Sequence, residues 1–95
     1  MKIINAQIRE LTKMAVSLAR VTSSDSSTNM HFEGKIEGYR KAVNRTPDTM
    51  RRLRDDAHAE SLRQWFEVRD PWQYQYFCGV ASAANDVIAL HAVGG

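Results

Sequence analysis

The side chains of this 95-residue sequence that could do chemistry begin with a short histidine–glutamate motif. His58-Ala59-Glu60 matches the His-x-Glu half of the zinc deaminase signature, in which the histidine binds zinc and the glutamate moves protons. That site needs two further thiolate ligands, and Cys78 is the only cysteine. The histidines also lack the i, i+4 spacing that holds a metal on one helix face. The motif is therefore better explained as a charged helix surface, and we expect no metal and no cofactor.

A pair of carboxylates, Glu33 and Glu37, falls on one face of a predicted helix. All-helical nucleotide pyrophosphatases bind magnesium through helix-borne carboxylates, so a magnesium-dependent nucleotide hydrolase is one hypothesis. Lys35, Arg40 and Lys41 flank the pair, however, and the E-x-x-E and E-x-x-D motifs of those enzymes are missing. A solvated helix face is favoured, and we predict a protein that is not an enzyme.

Three arginines, Arg51, Arg52 and Arg54, form the most prominent charged cluster. Such a cluster can bind the phosphates of a nucleotide or nucleic acid, or an acidic protein surface. Asp55 and Asp56 follow at once and weaken the positive field. A salt-bridged helix surface is the simpler interpretation, and a nucleic-acid- or nucleotide-binding regulator is the alternative function.

Aromatic residues are concentrated around a predicted corner between the third and fourth helices. We predict that Trp65, Phe66 and Phe77 belong to the core. Trp72 and Tyr74 come directly after the corner, where exposed aromatic side chains are typical of interfaces. The sequence therefore predicts that Trp72 and Tyr74, together with the three arginines, contact a partner.

Length and composition place these residues in one small domain, 1–95. Apolar residues make up 43% of the chain and charged residues 25%, which is typical of a globular protein. A chain this short has a modest core, and a single cysteine excludes an internal disulfide. Self-association is the remaining source of stability, so we expect a homo-oligomer. A net charge of +2 does not indicate a dedicated nucleic-acid binder.

Neither end of the sequence indicates a membrane or secretory segment. The N-terminal residues contain Glu10 and no apolar run, unlike a signal peptide. The apolar stretch near the C-terminus is interrupted by Asn85, Asp86 and His91, which argues against a membrane span. We expect a cytoplasmic protein.

Hydrophobic periodicity and capping signals predict four helices, at 4–21, 30–43, 47–68 and 71–92, with a flexible loop at 22–29. The first helix has an apolar stripe that could pack within the monomer or against a second copy: Ile4, Ile8, Leu11, Ala15 and Leu18. The third is predicted to direct these apolar residues inward: Met50, Leu53, Ala57, Leu62, Trp65 and Phe66. The fourth is apolar almost all round. The predicted fold is an all-α, compact bundle of three to four helices with a central C-terminal helix, intertwined in a homodimer.

Small residues recur at a spacing of four in the second and fourth helices, at Gly34, Gly38, Gly79 and Ala83. Glycines inside a helix are costly, and small residues at i and i+4 allow two helices to approach closely. We therefore predict that helices 2 and 4 pack tightly, within one chain or between two.

Two stretches of the sequence resemble known proteins. The F-x-G-x-I-x-G-Y-R stretch, Phe32 to Arg40, and the Y-F-x-G stretch at 76–79 resemble short helical proteins encoded by phages and prophages. Many of these inhibit host defence or regulate host enzymes. The resemblance implies a non-enzymatic protein that inhibits or sequesters a host protein, such as a defence-system component, in the bacterial cytoplasm.

Overall fold

The computed structural model of the chain describes residues 2–22 and 26–94, and these ranges form helices and no strand. The elements are α1 (Lys2–Val21), α2 (Ser27–Ala42), α3 (Pro47–Arg63), a π-helical turn (Gln64–Val68) and α4 (Pro71–Gly94). The predicted all-α class is confirmed.

Helices α2 and α4 form the centre of the molecule, although α3 separates them in sequence. α1 packs on α2 at one side, and α3 packs on α4 at the other. The result is a flat body of 38 × 28 × 16 Å with a radius of gyration of 13.2 Å. The described chain is thus a compact four-helix bundle, and the intertwined homodimer remains a prediction.

The central contact between α2 and α4 brings two backbones together. A Cβ atom on Gly34 would overlap the carbonyl oxygen of Tyr76, and one on Gly79 would overlap a carbonyl oxygen of α2. A Cβ on Gly38 would lie 2.6 Å from the Cβ of Ala83. The four small residues therefore all lie at this contact, and it forms within one chain.

Helix α1 is attached to the rest of the bundle by both apolar and polar contacts. Ile4 and Ile8 are buried in the core, and so is the amide of Asn5. Asn5 Nδ2 donates to Asn44 Oδ1 at 2.7 Å, and the Asn44 backbone N–H donates to Asn5 Oδ1 at 3.2 Å. Asn44 adopts a left-handed φ of 62° after the end of α2. This reciprocal pair connects the start of α1 to the loop between α2 and α3.

Helix α2 begins earlier than the sequence predicted, which corrects the proposed 22–29 loop. Ser26 caps the helix, since its side chain accepts a hydrogen bond from the Asn29 backbone N–H at 3.1 Å. The serine-rich segment predicts a loop, but serine is also a preferred residue at the N-cap of a helix. Residues 23–25 of the predicted loop lie outside the described residues.

Helix α4 has the length and apolar composition that would suffice to cross a membrane. In this structure it packs between α2 and α3, yet only 28% of its most apolar window is fully buried. Asp86, in the middle of the helix, accepts a hydrogen bond from the Tyr39 hydroxyl of α2 at 2.5 Å. The absence of a membrane span stays a prediction.

Candidate functional site

The inward face of α3 ends in polar residues. Ala57, Ser61 and Gln64 follow one another at spacings of four and three, and all are buried against the bundle. The Ser61 hydroxyl donates to the carbonyl oxygen of His58 at 2.7 Å, and Gln64 Nε2 donates to Glu60 Oε1 at 3.0 Å. Both buried polar groups are therefore satisfied within their own helix, as buried polar groups usually are.

The large apolar residues of the same segment lie on the outside, contrary to the sequence prediction. Leu62, Trp65 and Phe66 are 43%, 51% and 68% exposed. A step of four residues from Ala57 leads to Ser61 and a further step of three leads to Gln64, so Leu62 and Phe66 lie off the stripe of Met50 and Ala57, and Trp65 lies at its edge. The prediction that Leu62, Trp65 and Phe66 point inward rested on their spacing from one another, and it was wrong.

A π-helical turn and a left-handed residue fix the backbone of this exposed segment. The turn covers Gln64–Val68 and ends at Arg69, which has a φ of 61°. The backbone N–H groups of Arg69 and Asp70 both donate to the carbonyl oxygen of Gln64, the latter at 2.9 Å. Single π-helical turns occur frequently at functional sites, and left-handed non-glycine residues cluster there too.

The first turn of α4 is capped by Asp70, as the sequence predicted. Its Oδ1 accepts hydrogen bonds from the backbone N–H groups of Trp72 at 3.0 Å and Gln73 at 3.1 Å. Trp72 is 39% exposed beside this cap. The cap therefore holds the predicted contact residue Trp72 in a fixed position at the corner.

Tyr74, the other predicted contact residue, packs against Trp65. Their ring centroids are 4.9 Å apart at an interplanar angle of 48°. A hydrogen bond between the phenol and the Cys78 thiol raises the pKa of Tyr74. Tyr74 therefore packs against the exposed Trp65 and supports its position.

These elements together create an exposed apolar surface, which we call the aromatic corner. A shallow groove crosses it, lined by Trp65, Phe66, Arg69 and Pro71. One cationic residue therefore lines the groove together with two aromatic residues. The aromatic corner comprises Leu62, Trp65, Phe66, Val68 and Trp72.

The arginine cluster of α3 lies at the other end of that helix and is partly neutralised. Arg51 Nη1 lies 2.6 Å from Asp48 Oδ1, and Arg54 Nε lies 3.0 Å from Asp55 Oδ1. Arg52 is exposed. Two of the three guanidinium groups already have carboxylate partners, so the local field available to a phosphate is reduced.

The two carboxylates considered for magnesium lie one turn apart on α2. Glu33 is exposed on α2, and Glu37 forms an ion pair with Lys41 at 3.8 Å. Burial raises the pKa of Tyr76, and the charges of Glu37 and Glu33 raise it further. Within residues 2–22 and 26–94, no three His, Cys, Asp or Glu side chains come together in a way that could hold a metal ion.

A polar cluster that the sequence analysis missed lies where α2 faces α4. The buried Tyr39 donates its hydroxyl to Asp86, and Lys35 Nζ lies 3.7 Å from the same carboxylate. Burial and the hydrogen bond to Asp86 raise the pKa of Tyr39 above its usual range. The only sequence signal was a lone aspartate between buried Ala84 and Val87. Since all three groups are mutually paired, the cluster is a structural feature of the helix contact.

Comparison of the chain with protein-family models, with curated proteins and with solved structures gives no match. The resemblance to phage proteins stays a prediction. Function is therefore argued from the contacts of this chain alone.

Proposed function

We propose that this chain is a non-enzymatic helical binding protein that occupies or sequesters a partner protein through the aromatic corner. The observation that supports this function is the reversed polarity at the end of α3. Ser61 and Gln64 are inside while Trp65 and Phe66 are outside. Positions where a fold departs from its own hydrophobic pattern are often functional sites. The proposal keeps the class implied by the resemblance, a phage-encoded protein acting on a host protein in the bacterial cytoplasm.

The fixed backbone of the aromatic corner favours binding. The Asp70 cap and the paired N–H groups of Arg69 and Asp70 hold the segment before any partner arrives. Binding through such a surface loses little conformational entropy. Tryptophan and other aromatic side chains are also the residues most enriched among interface hot spots.

The groove indicates the chemistry of the partner segment. Trp65 and Phe66 offer apolar walls, and Arg69, a cationic residue, also lines the groove. An apolar or aromatic side chain next to a carboxylate would fit this combination, since arginine pairs with carboxylates and stacks on aromatic rings. We therefore propose a partner segment that contains both groups.

Affinity capture from the host, with variants, tests this function. Trp65→Ala and Phe66→Ala should each weaken capture of the partner by about 30-fold or more, as for a hot-spot side chain. Each should lower the free energy of unfolding by only about 1.5 kcal/mol, because roughly half of the burial energy of a large apolar side chain is involved.

Val93→Ala is the matched control, since Val93 is also an exposed apolar helix residue but lies near the end of α4, outside the aromatic corner. It should leave partner capture unchanged. Equal capture by the wild type and by both aromatic variants would exclude the aromatic corner as the binding surface. A loss of several kcal/mol in either variant would mean that the side chain is structural after all.

A further inference from the structure

Helix α1 has a second apolar stripe besides the one that enters the core. The core stripe contains Ile4, Ile8, Ala15 and Ala19, all buried. The second stripe adjoins the first along the helix, and one of its members, Leu11, is partly buried against the core. Met14 is 61% exposed and Val21 is 80% exposed. We call this second set the outer stripe; it comprises Ile3, Leu11, Met14, Leu18 and Val21.

The spacing of the outer stripe is that of a coiled-coil seam. Leu11, Met14, Leu18 and Val21 are separated by three, four and three residues. Alternation of three and four places apolar residues every 3.5 positions on average, which is the repeat that pairs one helix with another. Among the described helices, α1 packs chiefly on α2, through its core stripe. The outer stripe therefore has the pattern of a helix–helix contact, although its members other than Leu11 stay exposed among residues 2–22 and 26–94.

Grooves lie beside the outer stripe and would receive side chains from a facing helix. The first is lined chiefly by Ile3, Ala6, Leu11 and Leu90, and its exposed lining is almost wholly apolar. The second passes between Leu11, Met14 and Leu18 of α1 and Phe32 of α2, and the polar cluster of Lys35, Tyr39 and Asp86 also lines it. Ridges flanked by holes are what knobs-into-holes packing requires.

We propose that the outer stripe is the interface of a homodimer, in which α1 pairs antiparallel with α1 of a second copy. A two-fold arrangement needs a surface that is complementary to itself. Antiparallel pairing of this heptad places Leu11 opposite Met14 of the second copy. It also places Ile3, 75% exposed, near Val21 of the second copy, so the two most exposed ends of the stripe cover each other.

The charges beside the outer stripe agree with antiparallel pairing. Glu10 and Lys13 form an exposed ion pair at 3.1 Å. With Leu11 opposite Met14, Glu10 of one copy comes near Lys13 of the other, and the two copies make the same exchange. Antiparallel helices also align their dipoles favourably.

The available area is sufficient for a stable dimer. α1 is about 30 Å long for its twenty residues. The outer stripe with its grooves is about 20 Å wide, or two helix diameters, which gives roughly 600 Å² per copy. That is about a tenth of the 5934 Å² surface of the chain and about 1,200 Å² in total, at the lower end of stable interfaces.

Sedimentation equilibrium of the full chain with a charge-insertion variant tests the dimer. The wild type should be dimeric at about 100 µM, as expected for an interface of this size with micromolar affinity. Met14→Glu should weaken dimerisation by roughly ten-fold or more, because it places a carboxylate in an apolar seam. Ser17→Glu is the matched control, since it introduces the same charge on the same helix but Ser17 is exposed outside the stripe. A monomeric wild type, or a dimer that both glutamate variants leave intact, would overturn the proposal.

Disulfide trapping tests the orientation. In a Cys78→Ala background, one batch carries Ile3→Cys and the other carries Val21→Cys. On mixing and oxidation, antiparallel pairing should give mainly the mixed disulfide, whereas parallel pairing would give only the like disulfides and overturn the antiparallel arrangement. Trp65→Ala should remain dimeric, so failure of the dimer and failure of the aromatic corner are separately visible.

Discussion

Transfer of a methyl group from Ala83 of α4 to Gly38 of α2 should separate the energetic cost of packing at this contact from the cost of helix propensity. In Gly38→Ala the new methyl would lie 2.6 Å from the Cβ of Ala83 and 3.0 Å from the carbonyl oxygen of Val80. Comfortable carbon–carbon contact needs about 3.5–4.0 Å, so the helices must separate by about 1 Å. Overpacking of this kind costs about 1–3 kcal/mol, and the gain in helix propensity returns about 1 kcal/mol. We expect a net loss of up to about 2 kcal/mol.

The reverse change, Ala83→Gly, should also destabilise the protein. It loses about 1 kcal/mol of helix propensity and about 0.8 kcal/mol for one buried methyl group. In the double variant Gly38→Ala, Ala83→Gly the methyl is moved from α4 to α2, so the clash with the Ala83 methyl is absent and only the 3.0 Å approach to the Val80 carbonyl oxygen remains. The double variant should therefore be less destabilised than the two single changes together, by about 1–2 kcal/mol, which is the range seen for residues in contact.

Urea unfolding followed by circular dichroism measures all three variants. Ala59→Gly, at an exposed position of α3, gives the propensity cost alone in this protein and should lower the free energy of unfolding by about 1 kcal/mol. Additive single effects, or a Gly38→Ala protein more stable than the wild type, would refute close backbone approach at Gly38.

Two further predictions concern polar contacts. Asn5→Ala removes both hydrogen bonds of the buried amide and should lower the free energy of unfolding by about 2 kcal/mol. Asn85→Ala, at an exposed position of α4, is the control in the same urea unfolding experiment. Equal losses of stability in the two variants would contradict the role of Asn5. Burial, and then the charge of Lys35, lower the pKa of His31. The unfolded chain therefore binds the proton first as the pH falls below about 6.5, and stability present above that pH is lost as the pH falls through the folded-state pKa. His31→Gln should reduce the loss of stability between about pH 7 and pH 5, and exposed His58→Gln should not; identical pH profiles for the three proteins would exclude His31 as the source.

Capping residues made much of the fold predictable. Thr46 accepts a hydrogen bond from the Thr49 backbone N–H at 3.2 Å, and Asp70 caps α4 in the same manner. Each is followed by a proline at the first helical position, where a missing N–H has no cost. These signals depend on neighbouring residues only, so the sequence was sufficient to place the starts of α3 and α4.

Features that depend on distant partners were less predictable. The Asn5–Asn44 pair requires a left-handed backbone at Asn44 and a partner 39 residues away in the sequence. The position of Trp65 was predicted wrongly because its spacing from Leu62 and Phe66 was followed instead of the spacing from Met50 and Ala57. Spacing alone would have indicated Ser61 and Gln64 as the inward residues, but polar side chains are accepted there only because local hydrogen bonds satisfy them.

The flat order of helices, with α1 and α3 on opposite flanks of the α2–α4 centre, has a consequence for affinity. A dimer joined through α1 would leave both copies of α3 at its outer sides, each with its own aromatic corner. Such a dimer could bind at two points to a partner that is itself a dimer or a repeated array. Once the first point is bound, the second binds at an effective concentration set by geometry rather than by the amount of protein in solution, and avidity can exceed the single-site affinity by about 10²–10⁴. Modest contact at each corner would then be enough to keep an abundant partner occupied.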